Sequence, residues 1–411
     1  MNPAQDPYVA GEIRKAQGLT PEVPEAEFRG RLERARSLMK ELGYEALLLY
    51  GAAAPQPDWI RYFSNYVQPF PIAGSFLFID AHGRETLLID CPWNLEDAKS
   101  MSTVGDVRAF PHGRYRWQFE EVTKVLKNLF RQAELEGGAV GICALEMPTL
   151  YHQAIQAAAP DTELVDAAPL WTRIVSAPSE FDRSMICRTA EIADAGMRTA
   201  LDACREGAPE YEVCIEALRV MASMGAEFLH GGGPSTHINM GSGSRVVSNV
   251  RPFLFTTRKL EAGDMFWLDL SASYAGYYVD FDRTVSIGEP NAKQRRIYDT
   301  CREMYDALFA AIRPGAKGKD VFRAGFEVAK AAGYEDTYNL IYLGHMSGIT
   351  TSERPFIIPE EEMELPEGGY LNIEPGIFEV ETGTSSLEDI ILVGPEGGEA
   401  VTRCDLGLHV A

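Results

Sequence analysis

Helical and strand-like patterns of apolar residues alternate through the first part of the chain. Apolar side chains recur at helical spacing in three segments: residues 27–42, 117–133 and 149–158. Four short apolar runs between them predict buried strands: residues 46–50, GSFLFID, ETLLID and 139–145. Residues 81–83 read as a hairpin turn, and the polar residues 1–25 predict an irregular lead-in. This alternation predicts an α/β domain.

A second pattern begins after the segment WTRIVSAPSE at residues 171–180, in which Ser179 is placed to cap a helix. Four further helices are predicted in two pairs, at about 180–206 with 210–224 and at about 292–312 with 318–332. Strand-rich segments follow each pair, so the order of elements repeats loosely across 180–290 and 292–395 and hints at an internal duplication. We therefore expect two domains, an N-terminal α/β domain at 1–172 and an α+β domain at 173–411.

Composition and charge narrow the class of protein. The chain has 411 residues, of which 45% are hydrophobic and 24% are charged, and these values match a soluble globular protein of two domains. Its 38 basic and 60 acidic residues give a net charge of −22, which argues against nucleic acid or an anionic membrane as a partner. No apolar run approaches the roughly eighteen residues of a membrane span.

Cysteine usage indicates a reducing compartment. The seven cysteines are scattered and form no C-x-x-C pair, which predicts buried thiols and no disulfide framework or zinc knot. They are Cys91, Cys143, Cys187, Cys204, Cys214, Cys301 and Cys404. The segment MNPAQDPYVAGEIRKAQ has no apolar core of the kind that a secretory signal needs. We therefore expect a cytoplasmic protein.

Five potential metal ligands follow one another in the last third of the chain. They lie in the strings FWLDLSASYAGYYVDFDRT, YLGHMSG, LNIEPGIF and SLEDIILV, and they are Asp269, Asp280, His345, Glu374 and Glu388. Each lies in or beside a strand-like apolar run, where an acid is costly unless it is paired or bound to metal. Four carboxylates and one imidazole can hold two divalent cations and produce hydroxide from water at neutral pH. The pattern predicts a metal-dependent hydrolase.

The spacing of the acids predicts how they are presented. Asp269 and Asp280 are eleven residues apart with Tyr274-Ala275-Gly276 between them, so a hairpin would bring both carboxylates to one face. Glu374 ends the strand-like YLNI just before a turn, and Glu388 interrupts another strand. Their separation of fourteen residues is even, so both can point to one side if the connection preserves the pleat.

These strings resemble those of the creatinase/aminopeptidase P/prolidase family, the pita-bread metallopeptidases. The resemblance covers about residues 180–400 and extends to IVSAPSEFDRSMICRTAEIAD. It implies a two-metal site of Mn, Fe, Co or Zn, in which Asp269 binds one ion, Asp280 and Glu388 bridge both, and His345 and Glu374 complete the other. It also implies that Glu374 accepts a proton, that the N-terminal domain is α/β, and that the protein is a homodimer.

Four positions depart from the family. Ser352 stands seven residues after His345, where the family peptidases carry a histidine, and a second family histidine falls at or beside Pro252. Ser386 replaces an arginine, and Asp282 stands where the family usually has threonine. His230 and His237 could supply the missing imidazole, while Asp282 could pair with Arg283. Side chains that could line a substrate pocket are Trp267, Tyr277, Tyr278 and either Arg245 or Arg251.

The departures leave several functions open. The first is hydrolysis of a peptide or small amide by an Xaa-Pro peptidase-like site with altered surroundings, acting on a short peptide or small molecule. The second is a lyase like the family's dimethylsulfoniopropionate lyases, although Thr351 stands where those enzymes carry a base Asp. A third is creatinase-like or ectoine-type hydrolysis, whose enzymes dispense with the metal ligands that this chain keeps. A protein-binding module without activity is the fourth.

Overall fold

The chain folds into two compact units that meet in sequence between Ile174 and Val175. The structure is a computed structural model. It describes residues 23–51, 59–67, 74–90, 92–110, 119–135, 137–143, 147–228, 235–243, 256–336, 341–379 and 382–411. Within these ranges no helix has the length and apolar character that crossing a membrane requires.

The first unit is a six-stranded mixed sheet with helices between its strands. Its strands are β1 (Tyr44–Gly51), β2 (Ser75–Asp80), β3 (Glu85–Ile89), β4 (Asp106–Ala109), β5 (Ala139–Cys143) and β6 (Glu163–Asp166). They lie in the order β4-β3-β2-β1-β5-β6, with β1–β2 and β2–β3 antiparallel. Its helices are α1 (Glu25–Leu42), α2 (Trp59–Ser64), α3 (Leu95–Met101), α4 (Phe119–Gln132), α5 (Thr149–Ala158) and α6 (Ala168–Val175). The predicted α/β class is confirmed.

The core of this unit lies between the sheet and helices α4 and α5. Leu48, Phe76 and Phe78 of the central strands share a buried cluster with Leu126 of α4 and Ile155 of α5. Alternate residues of a strand point to one face, so the apolar runs seen in the sequence supply this face with its side chains. The first unit therefore has a hydrophobic core of its own.

The second unit contains four helices and eleven strands in the described residues, in the predicted order of helix pair, strands, helix pair, strands. Its helices are α7 (Glu180–Ala203), α8 (Glu210–Ser223), α9 (Ala292–Ala311) and α10 (Gly318–Ala332). The strands after the first pair are β7 (His237–Ser242), β8 (Met265–Tyr274) and β9 (Tyr277–Ser286). Those after the second pair are β10 (Gly344–Met346), β11 (Glu353–Phe356), β12 (Tyr370–Ile373), β13 (Gly376–Glu379), β14 (Gly383–Ser386), β15 (Asp389–Gly394), β16 (Gly397–Ala400) and β17 (His409–Val410).

Three sheets organise these strands. One has the order β17-β9-β8-β7, a second has the order β11-β10-β12-β15-β16, and β13 pairs with β14 alone. Strand β17 joins β9 in parallel, with His409 opposite Val285. Helices α9 and α10 pack on the second sheet through a buried cluster that includes Leu308, Val321 and Leu371. All the ligand candidates lie on strands or strand ends of these sheets.

Helix α7 begins with a capping box that fixes the start of the second unit. The amide of Asp182 donates to Ser179 Oγ at 3.0 Å, and the amide of Ser179 donates to Asp182 Oδ2 at 2.8 Å. These bonds satisfy donors that a helix leaves unpaired in its first turn. Asp182 Oδ1 also accepts from the Tyr277 hydroxyl at 2.6 Å, which ties the helix start to strand β9. The predicted cap at Ser179 is confirmed.

Removal of this cap is expected to weaken the second unit. Ser179→Ala deletes the hydroxyl acceptor and should lower the free energy of unfolding by about 1 kcal/mol. The matched control is Ser184→Ala, because Ser184 is exposed on the same helix and bonds only the carbonyl of Phe181 among the described contacts. The control should stay within about 0.5 kcal/mol of the parent. Equal urea midpoints for the two variants would contradict the prediction.

Candidate metal centre

A tight hairpin presents the first two candidate ligands. Ala275 and Gly276 have φ of 55° and 85°, as a two-residue turn with both central residues left-handed requires. The pairing places Asp269 opposite Asp282 and Ser271 opposite Asp280. Because alternate residues share a face, all four of these polar side chains lie on the same side of the β8–β9 hairpin. The predicted presentation of Asp269 and Asp280 on one face is confirmed.

The two glutamates lie where a second pair of strands is interrupted. Strand β12 ends opposite the start of β15, with Ile373 facing Asp389, and β13 begins opposite the end of β14, with Gly376 facing Ser386. Glu374 and Glu388 therefore occupy breaks at the same level of two adjacent strands. The breaks release both residues from the pleat, so their side chains can turn toward the hairpin.

His345 lies in the short strand β10, which pairs with β11 on one side and with β12 on the other. Its Nδ1 is 3.0 Å from the carbonyl of Met346, which favours the tautomer that carries the proton on Nδ1 and leaves Nε2 with a lone pair. Nε2 lies 3.6 Å from Glu374 Oε1. Burial lowers the pKa of His345, so the neutral form that can bind a metal is favoured.

Gly344 allows the histidine strand to approach its neighbour. Its φ is +150°, and a Cβ at this position would lie 2.1 Å from the carbonyl oxygen of Asn372. A larger residue would push β10 away from β12 and displace the adjacent imidazole of His345. The glycine of the string YLGHMSG therefore has a steric reason.

All five candidate ligands line one cavity of about 270 Å³. Asp280, His345 and Glu388 each place a ligand atom within 4.8 Å of those of the other two. Asp269 and Glu374 line the same cavity. The structure thus brings together every residue of the predicted set, although they are separated by more than a hundred residues of chain.

The electrostatics of the cavity favour a cation. Burial raises the pKa values of Asp269, Glu374 and Glu388 well above their usual range, and the charge of Asp280 raises each of them further. Among the described residues that line the cavity, none is lysine or arginine. Asp269 Oδ1 is buried without a hydrogen-bond partner. Buried carboxylates without a basic partner require protons or metal ions, and the donor set of oxygens and one imidazole fits divalent metals.

Asn372 contacts two of the acids, a role that nothing in the sequence indicates beyond its place in the string NIEPG. Its amide Nδ2 donates to Glu388 Oε1 at 2.6 Å and to the main-chain oxygen of Asp280 at 2.7 Å. Its Oδ1 accepts a hydrogen bond from Ser347. The amide therefore couples strand β9 to the break that carries Glu388.

Arg283 supports the same region from the opposite side of the hairpin. The guanidinium is buried and donates to Asp389 Oδ1 at 2.8 Å. It also donates at 2.7–2.9 Å to four main-chain oxygens, those of Asp282, Glu388, Cys404 and Asp405. The hypothesis that Arg283 pairs with the carboxylate of Asp282 is therefore wrong. Neighbouring residues of a strand point to opposite faces, so Arg283 points away from the cavity.

Two hydroxyl groups lie against the carboxylate of Asp280, and an imidazole contacts one of them. Ser271 Oγ lies 2.8 Å from Asp280 Oδ1, and the Tyr278 hydroxyl lies 3.2 Å from Asp280 Oδ2. His237 Nε2 is 3.1 Å from Ser271 Oγ, and its Nδ1 is 2.8 Å from the carbonyl of Ser235. His237 is not among the described side chains that line the cavity. It therefore reaches Asp280 through Ser271.

The remaining candidates divide into three groups. His230, Pro252, Arg245 and Arg251 lie outside the described residues. Trp267 and Tyr278 line the cavity, whereas the hydroxyl of Tyr277 is bound to Asp182. Ser352 and Ser386 also line the cavity, so both departures from the family face the site.

Tyr342 is a cavity residue that the sequence analysis missed. Its ring stacks on that of His345, with centroids 6.0 Å apart and an interplanar angle of 23°. Its hydroxyl lies 3.4 Å from Ser352 Oγ. Burial raises the pKa of Tyr342, so this hydroxyl keeps its proton at neutral pH. The only indication in the sequence is its position three residues before His345. Residues three apart in a strand point to opposite faces, so this spacing does not predict that the two rings stack.

Comparisons with known proteins agree with this geometry. The metallopeptidase family M24 matches residues 184–395, and the Creatinase/Prolidase N-terminal domain matches residues 31–174. The Xaa-Pro dipeptidase of Pyrococcus furiosus is 28% identical over 375 residues, which cover 91% of this chain and 98% of that protein. Both the predicted resemblance and the predicted fold class are confirmed.

Solved structures give the same result. The prolidase from Pyrococcus horikoshii has a TM-score of 0.75 at 26% identity and covers 92% of this chain and 99% of its own. An X-Pro aminopeptidase from Thermotoga maritima has a TM-score of 0.79 at 21% identity, with 92% of this chain and 99% of that chain covered. The second similarity supports the fold alone.

Removal of metal is expected to make the stability fall as pH rises. The raised pKa values of Asp269, Glu374 and Glu388 exceed those of unfolded carboxyls, which titrate near about 4. For Asp282, burial raises the pKa to about 7. Between the unfolded and folded pKa values the folded state binds more protons, so the free energy of unfolding decreases with increasing pH.

The measurement is the Tm of EDTA-treated protein between about pH 5 and about pH 8, with and without saturating Mn²⁺. We expect the Tm of the chelated protein to fall as the pH rises across this range. The increase in Tm on addition of Mn²⁺ should be larger at the higher pH. Parallel Tm curves for the two forms would show that no cation occupies the carboxylate cluster.

Proposed function

Because the chain belongs to metallopeptidase family M24, with a Creatinase/Prolidase N-terminal domain before the catalytic domain, we propose that it is a metal-dependent peptidase that cleaves Xaa-Pro dipeptides. The observation that carries the proposal is the convergence of all five ligand candidates on one cavity. The Xaa-Pro dipeptidase name of the Pyrococcus furiosus relative supports the choice of substrate.

In this proposal two divalent ions, of Mn, Fe, Co or Zn, are held by the five side chains. Asp269, Asp280, His345, Glu374 and Glu388 would supply the ligand atoms from the wall of one cavity. The proximity of Asp280, His345 and Glu388 supports the binding of a cation by these three side chains together. When bound, the ions would lower the pKa of a coordinated water and polarise an amide carbonyl.

The chain's own residues would then move the proton and stabilise the developing charge. Glu374 lies partly exposed at the cavity wall beside Nε2 of His345 and is the group proposed to accept a proton from the attacking water. Tyr342 is proposed to donate its hydroxyl proton in a hydrogen bond to the substrate oxygen that becomes negative. This hydroxyl stands next to Ser352, at the place where the family histidine is absent.

His237 is proposed to act as a positioning residue. Its contact with Ser271 helps to hold the Asp280 carboxylate, because Ser271 Oγ bonds both groups. Outer partners of this kind orient the ligands of metal sites. His230 stays a candidate from the sequence alone.

The size of the cavity supports a small substrate. About 270 Å³ lies just below the roughly 300–1,000 Å³ of ligand pockets, which suits a dipeptide or a small amide better than a long peptide. A creatinase-like amide hydrolase is the second candidate, since Ser352 occupies the place of a histidine that family peptidases carry. A lyase is less well supported, because Thr351 lines the cavity with a hydroxyl in place of a base.

We also propose a cytoplasmic homodimer. Cys204 and Cys301 are buried thiols without disulfide partners, and burial raises the pKa of Cys204 to about 12, in keeping with a reducing compartment. Tyr211 and Ile215 are 38% and 48% exposed one helical turn apart on α8, which supports an association surface. Light scattering on the purified protein measures the oligomeric state.

The direct test is release of proline from Ala-Pro by the Mn²⁺-loaded protein. Glu374→Ala should lower kcat by about 10³-fold, because it removes the proposed proton acceptor and a ligand. Glu396→Gln is the control, since Glu396 lies exposed in the turn between β15 and β16, and its kcat should match the parent. Metal-loaded parent protein that releases no proline would favour the small-amide or lyase alternative.

Tyr342→Phe tests the proposed hydrogen-bond donor. Loss of one donor to a developing oxyanion should lower kcat by about 10²-fold while KM and bound metal change little. Tyr334→Phe, at the end of α10 in the same unit, should leave kcat unchanged. A kcat near the parent value for Tyr342→Phe would assign the tyrosine to packing against His345.

A further inference from the structure

Asp282 is a fifth acid in the cavity, and it lies directly across the strand pair from Asp269. Like charges at opposed positions of an antiparallel pair repel each other. Asp282 is only 3% exposed, so water does not screen this repulsion. Something other than solvent must therefore compensate the two carboxylates.

The described contacts of Asp282 leave one of its oxygens open. Oδ2 accepts a hydrogen bond from Ser386 Oγ at 2.5 Å, which fixes the carboxylate in one orientation. Oδ1 is buried without a hydrogen-bond partner, as is Oδ1 of Asp269. The indole of Trp267 lies close enough to favour the charged form of Asp282 without completing a hydrogen bond. The two open oxygens belong to acids that face each other in one cavity.

Arg283 makes no hydrogen bond to the carboxylate of Asp282 or of Asp269, and its charge favours ionised Asp282 only from the other side of the hairpin. Its donors are directed to Asp389 and to main-chain oxygens on the other face of the hairpin. Among the described residues that line the cavity, no other basic side chain is present except His345, whose pKa is lowered by burial. A cation in the cavity would satisfy both open oxygens at once.

We propose that Asp282 is an additional metal ligand, which binds through Oδ1 to the ion held by Asp269. The inference rests on the proposed metal centre and adds to it a ligand where the resembled family carries threonine. Ser386 has a defined part, because its bond to Oδ2 turns Oδ1 toward the cavity. The Asp282–Ser386 pair thus accounts for two of the departures from the family pattern together.

The consequence is a change in metal preference. A further carboxylate makes the ligand set richer in hard oxygen donors, which favours Mn²⁺ and Mg²⁺, while Zn²⁺ depends more on nitrogen and sulfur ligands. The centre should therefore bind Mn²⁺ more tightly, relative to Zn²⁺, than it would with threonine at position 282.

The experiment is calorimetric titration of metal-free full-length protein with MnCl₂ and with ZnCl₂. Asp282→Asn keeps the shape of the side chain but removes its charge and should weaken Mn²⁺ binding by about tenfold or more, with a smaller loss for Zn²⁺. Asp282→Thr should give the same direction. Asp161→Asn is the matched control, since Asp161 lies exposed in a turn of the first unit, and its affinities should equal those of the parent.

A second, milder variant tests the same ligand without altering the carboxylate of Asp282. Ser386→Ala keeps the carboxylate but removes the bond that orients it, so it should weaken Mn²⁺ binding to a smaller degree than Asp282→Asn. Circular dichroism of each metal-free variant verifies the fold before titration. Unchanged Mn²⁺ affinity in Asp282→Asn would overturn the proposal, because asparagine reproduces a protonated acid that only hydrogen-bonds.

The outcome is separable from that of the proposed peptidase. Protein that binds Mn²⁺ in an Asp282-dependent manner but releases no proline from Ala-Pro supports the ligand and contradicts the peptidase. Protein that releases proline with Mn²⁺ affinity independent of Asp282 supports the peptidase and overturns the ligand. Parent protein that binds no metal overturns both.

Discussion

The second unit depends on one constraint: several carboxylates lie together in one cavity. Among the described residues that line this cavity, none is lysine or arginine. Moving a charge out of water costs several kcal/mol unless a partner compensates it, and the acids here raise each other's pKa values further. A fold that tolerates this must hold the acids with rigid backbone. Strand pairing in the β8–β9 hairpin holds Asp269 and Asp280. Glu374 and Glu388 lie in short breaks between paired strands, where their amides donate to the carbonyls of Leu343 and Asp282.

The supporting contacts follow from the same constraint. Asn372 and Arg283 bond main-chain and side-chain oxygens around Glu388, and Asp389 anchors Arg283 while it also accepts from Tyr305 at 2.9 Å. The positive charge of Arg283 lies behind the hairpin, where it stabilises the acidic region without occupying the cavity. Arg283 thus attracts the acids from the far face of the hairpin and leaves their cavity face free for a cation.

Local sequence patterns predicted the parts of this arrangement that depend on local rules. The interval between Asp269 and Asp280, with Ala275-Gly276 inside it, predicted a hairpin because a two-residue turn and a period of two determine which residues share a face. The same rule, applied to the neighbours Asp282 and Arg283, would have excluded a pairing of the Asp282 carboxylate with the guanidinium.

Other parts of the site could not be predicted because they join distant segments. The bond between Ser386 and Asp282 spans 104 residues, and the role of Asn372 depends on the approach of β12 to β9. Tyr342 reaches the cavity only because β10 lies where it does. The family resemblance supplied the ligand set that spacing alone left open, but it carried no information on residues at which this chain departs from the family.

The contacts of Arg283 have a consequence for the order in which the protein is made. Two of its carbonyl acceptors, Cys404 and Asp405, and the strand β17 that pairs with β9 come after every candidate ligand in the chain. A ribosome synthesises the chain from the N-terminus, and the first unit can fold as soon as it emerges. The ligand hairpin, in contrast, obtains its last supports only when residues near Val410 have left the ribosome. Maturation of the centre therefore follows the synthesis of all its candidate ligands, and metal capture comes later than the folding of the first unit.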